Sequence, residues 1–300
     1  MDKVVFKTTL VRTFGWVIDF LCVRRVASKM SVNYAKRGHP MAVFANDLIG
    51  IDINQYGIYE AEELDLLFNF LSPVLKEFST GIALDIGANI GNHSLYFSKI
   101  FSKVLAYEPN PRTYRLLKFN TDFLSNINTF DYGLGEKKGK FKMVENTTNM
   151  GNSHIASNHT SEENGIEVIV ETLDGVLANV ARVDFVKIDV EGFEEGVLNG
   201  AIKTINAHQP LIVFEQHENE FVGDATPSIT LLKNLGYEFC WQHRKQPKIA
   251  SQSYILRRLF DVYRIIFGET LEIKTGPNVP KQYHSMLIAV PKRFVSLMNH

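Results

Sequence analysis

Only two cysteines, Cys22 and Cys240, occur in 300 residues. That excludes a disulfide framework and any zinc site built on cysteine, and it suits a reducing compartment. Neither sign of charge is in excess: 32 Lys and Arg against 33 Asp and Glu leave a formal net charge of −1. An obligate nucleic-acid binder carries a basic surplus for phosphates, so nucleic acid is not an expected partner. No apolar run reaches the ~20 residues of a bilayer span. No internal repeat and no Gly/Pro/Ser-rich linker divides the chain. With 45% hydrophobic residues low-complexity disorder is excluded, and the length allows one or two domains.

What is present is a succession of short apolar runs separated by helical patterns. Residues 61–78 repeat Leu and Phe at i, i+3 and i+4, which predicts a helix. Residues 81–87, 104–108 and 127–132 read as buried strands, with helices predicted over 92–101 and 112–120 between them. Residues 140–144 and 166–170 read as an added hairpin. Further strands are predicted at 185–189, 210–215 and 286–290, with helices at 194–206 and 229–235. Strands alternating with helices imply βαβ units and a mainly parallel sheet covered on both faces. The expected organisation is an N-terminal amphipathic helical extension over 1–55 and an α/β domain over 56–300, with a hairpin insertion near 140–170 and a C-terminal insertion near 243–275.

In an open parallel sheet ligands bind beyond the carboxyl ends of the strands. The first such end reads Asp85-Ile86-Gly87-Ala88-Asn89-Ile90-Gly91-Asn92. Gly87 permits a sharp turn and a close approach to a ligand, and Gly91 opens the next helix with its amides facing that ligand. Glu108 closes the second strand, 21 residues after Gly87, where a carboxylate meets the two hydroxyls of a nucleotide ribose. A dinucleotide fingerprint would place glycine where Asn89 stands, and Asp85 would repel a pyrophosphate while accepting an ammonium. S-adenosylmethionine has a ribose, an ammonium, a sulfonium and no phosphate.

DIGANIGNHS (Asp85 to Ser94), AYEPNP (Ala106 to Pro111), VKIDVEGFEEGVLNGA (Val186 to Ala201) and PLIVFEQH (Pro210 to His217) resemble the FkbM family of S-adenosylmethionine-dependent methyltransferases. The resemblance covers about residues 57–216. It implies an α/β, class I methyltransferase Rossmann-like sheet, mostly parallel with one antiparallel strand near the C-terminus, and helices on both faces. It also implies O-methylation of a hydroxyl on a sugar, glycan or glycosylated metabolite. By position, Asp85, Gly87, Ala88, Asn89, Gly91 and Asn92 surround the methionine and ribose. Glu108 holds the ribose hydroxyls, and Asp131, where the family often has Asn, reaches the adenine. Tyr59 and Glu60 resemble a family feature that closes over the cofactor.

An alcohol acceptor must lose a proton, which calls for a base or a metal. Asp189 and Glu191 follow one predicted strand; Glu215 and His217 end the next. Histidine titrates nearest neutral pH among side chains, whereas Asp189 is the best placed by resemblance. Lys187 is read as an ion-pair partner of these acids. Asp189, Glu215 and His217 could instead gather a divalent metal, though no short ligand motif marks one. The loop 146–164, rich in Asn, Ser, Thr and His, reads either as a solvated loop or as an acceptor-recognition lid. N- or C-methylation of a small metabolite and a non-catalytic cofactor-binding module are the competing functions.

Two basic apolar stretches lie outside these motifs, 3–29 and 254–267. The first has Asp19 in its middle and no clean small-residue cleavage site, which counts against a signal peptide. Packing on the domain or on a second copy in a homodimer is one reading of both; peripheral contact with a membrane is the other. The expected location is cytoplasmic, with the inner membrane surface as the site of any such contact.

Overall fold

A computed structural model of the protein describes residues 14–37, 39–45, 47–144, 154–155, 165–244 and 270–299. The chain forms two compact units, 1–59 and 60–300. In the first, helix α1 (Phe14–Arg37) meets α2 (Leu48–Tyr56), where Asn33 Nδ2 donates to the Asn54 carbonyl at 3.2 Å.

The second unit opens with α3 (Ala61–Phe70), a 3-10 turn at Ser72–Val74 and the short α4 (Leu75–Phe78). The single helix expected over 61–78 is broken because Pro73 lacks an N–H and disfavours a helical residue before it. Then follow β1 (Ile82–Ile86), α5 (Asn92–Phe97), β2 (Lys103–Tyr107), α6 (Pro111–Thr121) and β3 (Ile127–Phe130). Asn110 caps α6, its side-chain oxygen accepting from Arg112 N at 2.9 Å, with Pro111 at the first helical position.

A four-stranded side sheet comprises β4 (Gly133–Leu134), β5 (Gly139–Val144), β6 (His154–Ile155) and β7 (Ile166–Glu171), in the order β4-β7-β5-β6. The expected hairpin is its β5–β7 pair, antiparallel with Phe141 opposite Val168. Apart from β6, the Asn-rich loop 146–164 lies outside the described residues.

The chain returns to the main sheet through α7 (Leu173–Val176), β8 (Phe185–Ile188), α8 (Glu194–Asn199), α9 (Ile202–His208), β9 (Leu211–Gln216), α10 (Pro227–Asn234), β10 (Glu238–Arg244), β11 (Leu271–Thr275) and β12 (His284–Val290). The helix expected over 194–206 divides at Gly200, which packs so closely on a neighbouring turn that a Cβ there would lie 2.0 Å from the Gly135 carbonyl oxygen.

The main sheet has eight strands in the order β11-β10-β12-β9-β8-β1-β2-β3. The five from β9 to β3 are parallel, and β12 enters antiparallel between β9 and β10, as expected. Neither β10 nor β11 was foreseen as a strand; β11, the eighth, pairs antiparallel with β10 at the edge. Together β10 and β11 make both described ends of the 243–275 segment parts of the sheet; residues 245–269, and with them the apolar stretch 254–267, lie outside the described residues.

The central strands are buried on both faces. Leu84, Ile86, Val186, Ile188, Ile212 and Phe214 belong to one core, while Phe68, Phe78, Phe97, Phe101 and Phe185 pack ring against ring, with centroids of 5.0 Å for Phe78–Phe101 and 5.1 Å for Phe97–Phe185. Fully burying one such aromatic or aliphatic side chain stabilises by about 1.5–3 kcal/mol. These two layers hold the carboxyl ends of β1, β2, β8 and β9 level with one another.

Candidate functional site

Four consecutive strand ends meet along one edge of the sheet, and nearly every candidate residue stands on one of them. After β1 the chain turns at Gly87, where φ is +78° and a Cβ would lie 1.7 Å from the Asp189 carbonyl oxygen. Only glycine fits there, so the turns after β1 and β8 come into contact. The Gly87 and Ala88 amides both donate to the Tyr107 carbonyl at 3.0 Å, anchoring the turn to β2. Gly87 and Asn89 are half-buried, whereas Ala88, Gly91 and Asn92 are buried.

Glu108, at the end of β2, is buried and accepts the Asn89 amide on Oε2 at 3.0 Å and the Asn110 amide on Oε1 at 2.8 Å. Burial outweighs those two donors and raises its pKa to about 7. Asn89 Oδ1 is also buried and has no hydrogen-bond partner. This corner therefore offers acceptors in Glu108 and Asn89 Oδ1, to which hydroxyl groups can donate.

Asp85 lies deeper than its neighbours in the turn. Its side chain is wholly buried beneath the turn, with Oδ2 accepting from Ser94 Oγ at 2.6 Å and Oδ1 3.7 Å from Lys187 Nζ, so it does not line the open side where a donor's ammonium would lie. Lys187, in β8, spans from there to Asp189, whose Oδ2 lies 2.9 Å from Nζ. Burial opposes the charge of both partners, yet their attraction prevails: Lys187 is held protonated, and Asp189 is held below the usual carboxylate range.

The ends of β8 and β9 are more crowded. Glu191 sits in the left-handed region at φ +53°, and Glu194 steadies this turn by accepting the amides of Val190 at 3.1 Å and Gly192 at 3.2 Å. Burial, with Glu215 and Asp189 close by, raises Glu191 to about 8. Burial and Asp189 also raise Glu215, although Tyr283 Oη donates to its Oε1 at 2.6 Å and His217 Nε2 lies 3.3 Å from its Oε2. Glu191, Glu215 and His217 each present a ligand atom, all within 4.8 Å of one another. That set could hold a divalent cation; Asp189, expected among the ligands, faces Lys187 instead. Asp131 stands apart, exposed after β3.

Sequence reasoning missed Tyr283 and gave His93 no part in this edge, whereas the family resemblance already pointed to Glu60. Tyr283 comes from the loop before β12 and sets its ring 5.3 Å from that of His217. Glu60 caps α3 and pairs with His93 Nε2 at 3.2 Å, and His93 is buried against Phe97. Nothing in the polar run around Tyr283 signals its place; only the insertion of β12 beside β9 brings it there. Glu60 carries a faint signal, lying just ahead of a helix.

A mostly parallel α/β sheet of this strand order, with β12 antiparallel between β9 and β10, is the class I methyltransferase Rossmann-like architecture. A profile of the methyltransferase FkbM domain matches residues 85–239. The chain belongs to that family. Among curated proteins it is 29% identical over 182 residues to "Methyltransferase 1" of Beauveria bassiana, covering 51% of this chain and 71% of that protein. It is 27% identical over 190 residues to the hexuronic acid methyltransferase AglP of Haloferax volcanii, covering 61% and 68%. Among solved structures, methyltransferase FkbM from Methylobacillus flagellatus aligns with a TM-score of 0.39 at 15% identity, covering 91% of this chain and 60% of that one.

Proposed function

We propose that the protein transfers the methyl group of S-adenosylmethionine to a hydroxyl of a sugar, with a uronic acid or a glycan carrying one as the first acceptor class to test. The observation that carries the reading is the charge at the strand ends. Asp85, Asp189, Glu191 and Glu215 face one lysine, Lys187, with His217 beside them. An acid surplus of this kind favours a cationic sulfonium donor and disfavours a pyrophosphate. The named acceptor of AglP, a relative at 27% identity, supports the sugar.

When bound, S-adenosylmethionine supplies an electrophilic methyl on sulfur. In this reading Glu108 and Asn89 accept the ribose hydroxyls, and Asp131 takes the exocyclic amine of adenine. Gly87, Ala88, Gly91 and Asn92 shape the wall on which the donor lies. Asp85 acts from beneath by holding Lys187, and Lys187 in turn keeps Asp189 ionised and fixed. His217 takes the acceptor's proton on its imidazole, oriented by Glu215, which Tyr283 holds from its other oxygen. Glu191 and Asp189 bind the acceptor's remaining hydroxyls. Most of the rate advantage comes from setting the acceptor oxygen in line with the methyl.

A second reading of proton removal rests on the convergence of Glu191, Glu215 and His217. There the three side chains would ligate a divalent cation, whose charge would lower the pKa of a bound hydroxyl. Transfer of labelled methyl from S-adenosylmethionine to glucuronic acid-containing glycans and to neutral glycans tests the function. The expected result is incorporation into an ether-linked methyl; no calorimetric heat with S-adenosylmethionine and no incorporation into any glycan would overturn it. Dialysis against EDTA followed by Mg2+ or Mn2+ separates the two routes, because only the second loses and regains turnover.

A further inference from the structure

The second half of helix α1 lies against α2. There Asn33 is buried against α2, and the Lys29 ammonium lies 5.7 Å from the centroid of the Tyr56 ring. In the first half Val17, Ile18, Phe20, Leu21 and Val23 are 42%, 45%, 45%, 60% and 66% exposed. At about 100° per residue these five side chains spread over roughly 220° of the helix circumference, with Asp19 outside that arc. A water-facing helix ordinarily shows a polar face over that much of its surface.

The charge around it is one-sided. Residues 14–37 hold five Lys and Arg and one acid, and Arg24 and Arg25 directly follow the apolar arc. The unit 1–59 carries eight basic and four acidic residues, whereas 60–300 carries 24 and 29, so the near-neutral total conceals a basic first unit and an acidic second one. No helix among the described residues is long and apolar enough to cross a membrane.

We propose that the first half of α1 docks on an anionic lipid bilayer, its apolar arc entering one leaflet while Arg24 and Arg25 meet the headgroup phosphates. From Val17 to Val23 the helix rises about 9 Å, enough to enter the acyl boundary and far short of the ~30 Å hydrocarbon core. Apolar burial supplies the binding, and the arginines, whose stems lie along the acyl surface, supply the preference for anionic lipid. The charge pattern selects lipid over a second copy of the chain, because a second α1 brings the same five basic residues and single acid, whereas anionic headgroups complement the whole set.

The test is flotation of the full chain with vesicles of phosphatidylcholine alone and of phosphatidylcholine with a quarter phosphatidylglycerol, at low and high salt. The protein is expected to float with the anionic vesicles and to be released by salt. Leu21→Glu with Val23→Glu should weaken binding at least about tenfold, and Arg24→Glu with Arg25→Glu should abolish the anionic preference. Both variants alter exposed residues, so circular dichroism and the unfolding midpoint should match the parent, and calorimetric binding of S-adenosylmethionine should persist. Absence of flotation with both vesicle types, unchanged flotation of the Leu21/Val23 variant, or a lipid-indifferent dimer that this variant dissociates would each overturn the proposal. None of these results bears on the methyl-transfer reading, which the cofactor titration judges separately.

Discussion

The two ends of β8 each carry an aspartate, and they solve the same electrostatic problem in opposite ways. Asp184, just before the strand, is wholly buried, yet Arg182 Nε lies 2.6 Å and Arg293 Nη2 3.5 Å from its Oδ1, and the Ile82 amide donates to Oδ2 at 3.3 Å. One acid meets two cations and a backbone donor. Asp189, just past the strand, shares one lysine with Asp85 and has Glu191 and Glu215 for neighbours. The first end is balanced and structural. The second has more acids than cations, and burial, helped by the neighbouring carboxylates, pushes Glu191 and Glu215 upward. A fold retains such an imbalance where a ligand is to supply the missing charge.

That contrast can be broken most forcefully by His217→Ala. Turnover should fall by about 10²–10⁴ while the unfolding midpoint stays within error, as expected for a proton-transfer group at a half-exposed position; single-turnover rates with labelled donor check it, and an equal loss of stability would place His217 with the structural end. Asp184→Ala should do the converse. It should cost about 2 kcal/mol in urea unfolding, with the partly exposed arginines able to rehydrate, and leave turnover of the folded enzyme unchanged. Glu108→Ala should weaken S-adenosylmethionine binding by about 1–3 kcal/mol in a calorimetric titration, because the ribose donors lose their partner. Unaltered affinity would remove Glu108 from the donor site.

The smallest effect concerns Glu191, and it depends on pH. Its ordinary value of 4.5 rises to about 8 in the fold. An acid raised on folding contributes stability that is fully present below its unfolded value and is lost as pH climbs through the folded one. Glu191→Gln should therefore match the parent near pH 4.5, gain on it up to about pH 8 and level off above that. The gain should be about 1 kcal/mol, since the group is partly solvated. Urea unfolding in EDTA at pH 5 and pH 9 reads it, and equal differences at the two values would mean that like-charge crowding is absent. Turnover should fall in the same variant, setting stability against activity within one residue.

Much of this edge was legible because its chemistry is local in the chain. Gly87 to Asn92 and Asp189 to Glu191 lie within single strand-turn segments, so alternation of buried runs with glycine turns locates them. Helix limits were legible only where a residue enforces them. Asn110-Pro111 starts α6 where expected, whereas α3 ends early at Pro73 and the division of α8 from α9 depends on a neighbour, the Gly135 carbonyl at Gly200. The edge strand β11 went unseen because its residues, half-buried from Leu271 to Ile273 and exposed at Lys274 and Thr275, mix apolar with charged side chains.

From residue order alone follow the parallel sheet, the glycine turn after β1 and the acids at the strand ends, since each depends on neighbours in sequence and on the periodicity of burial. Residue order also limits the chain to one family by four motifs in series. Folding in three dimensions settles which of those acids remain charged. Lys187 can serve Asp85 and Asp189 at once only because β1 and β8 lie side by side, and Tyr283 can hold Glu215 only because β12 is inserted against β9. Ionisation depends on distance and solvent access, and neither is a property of the chain until it folds.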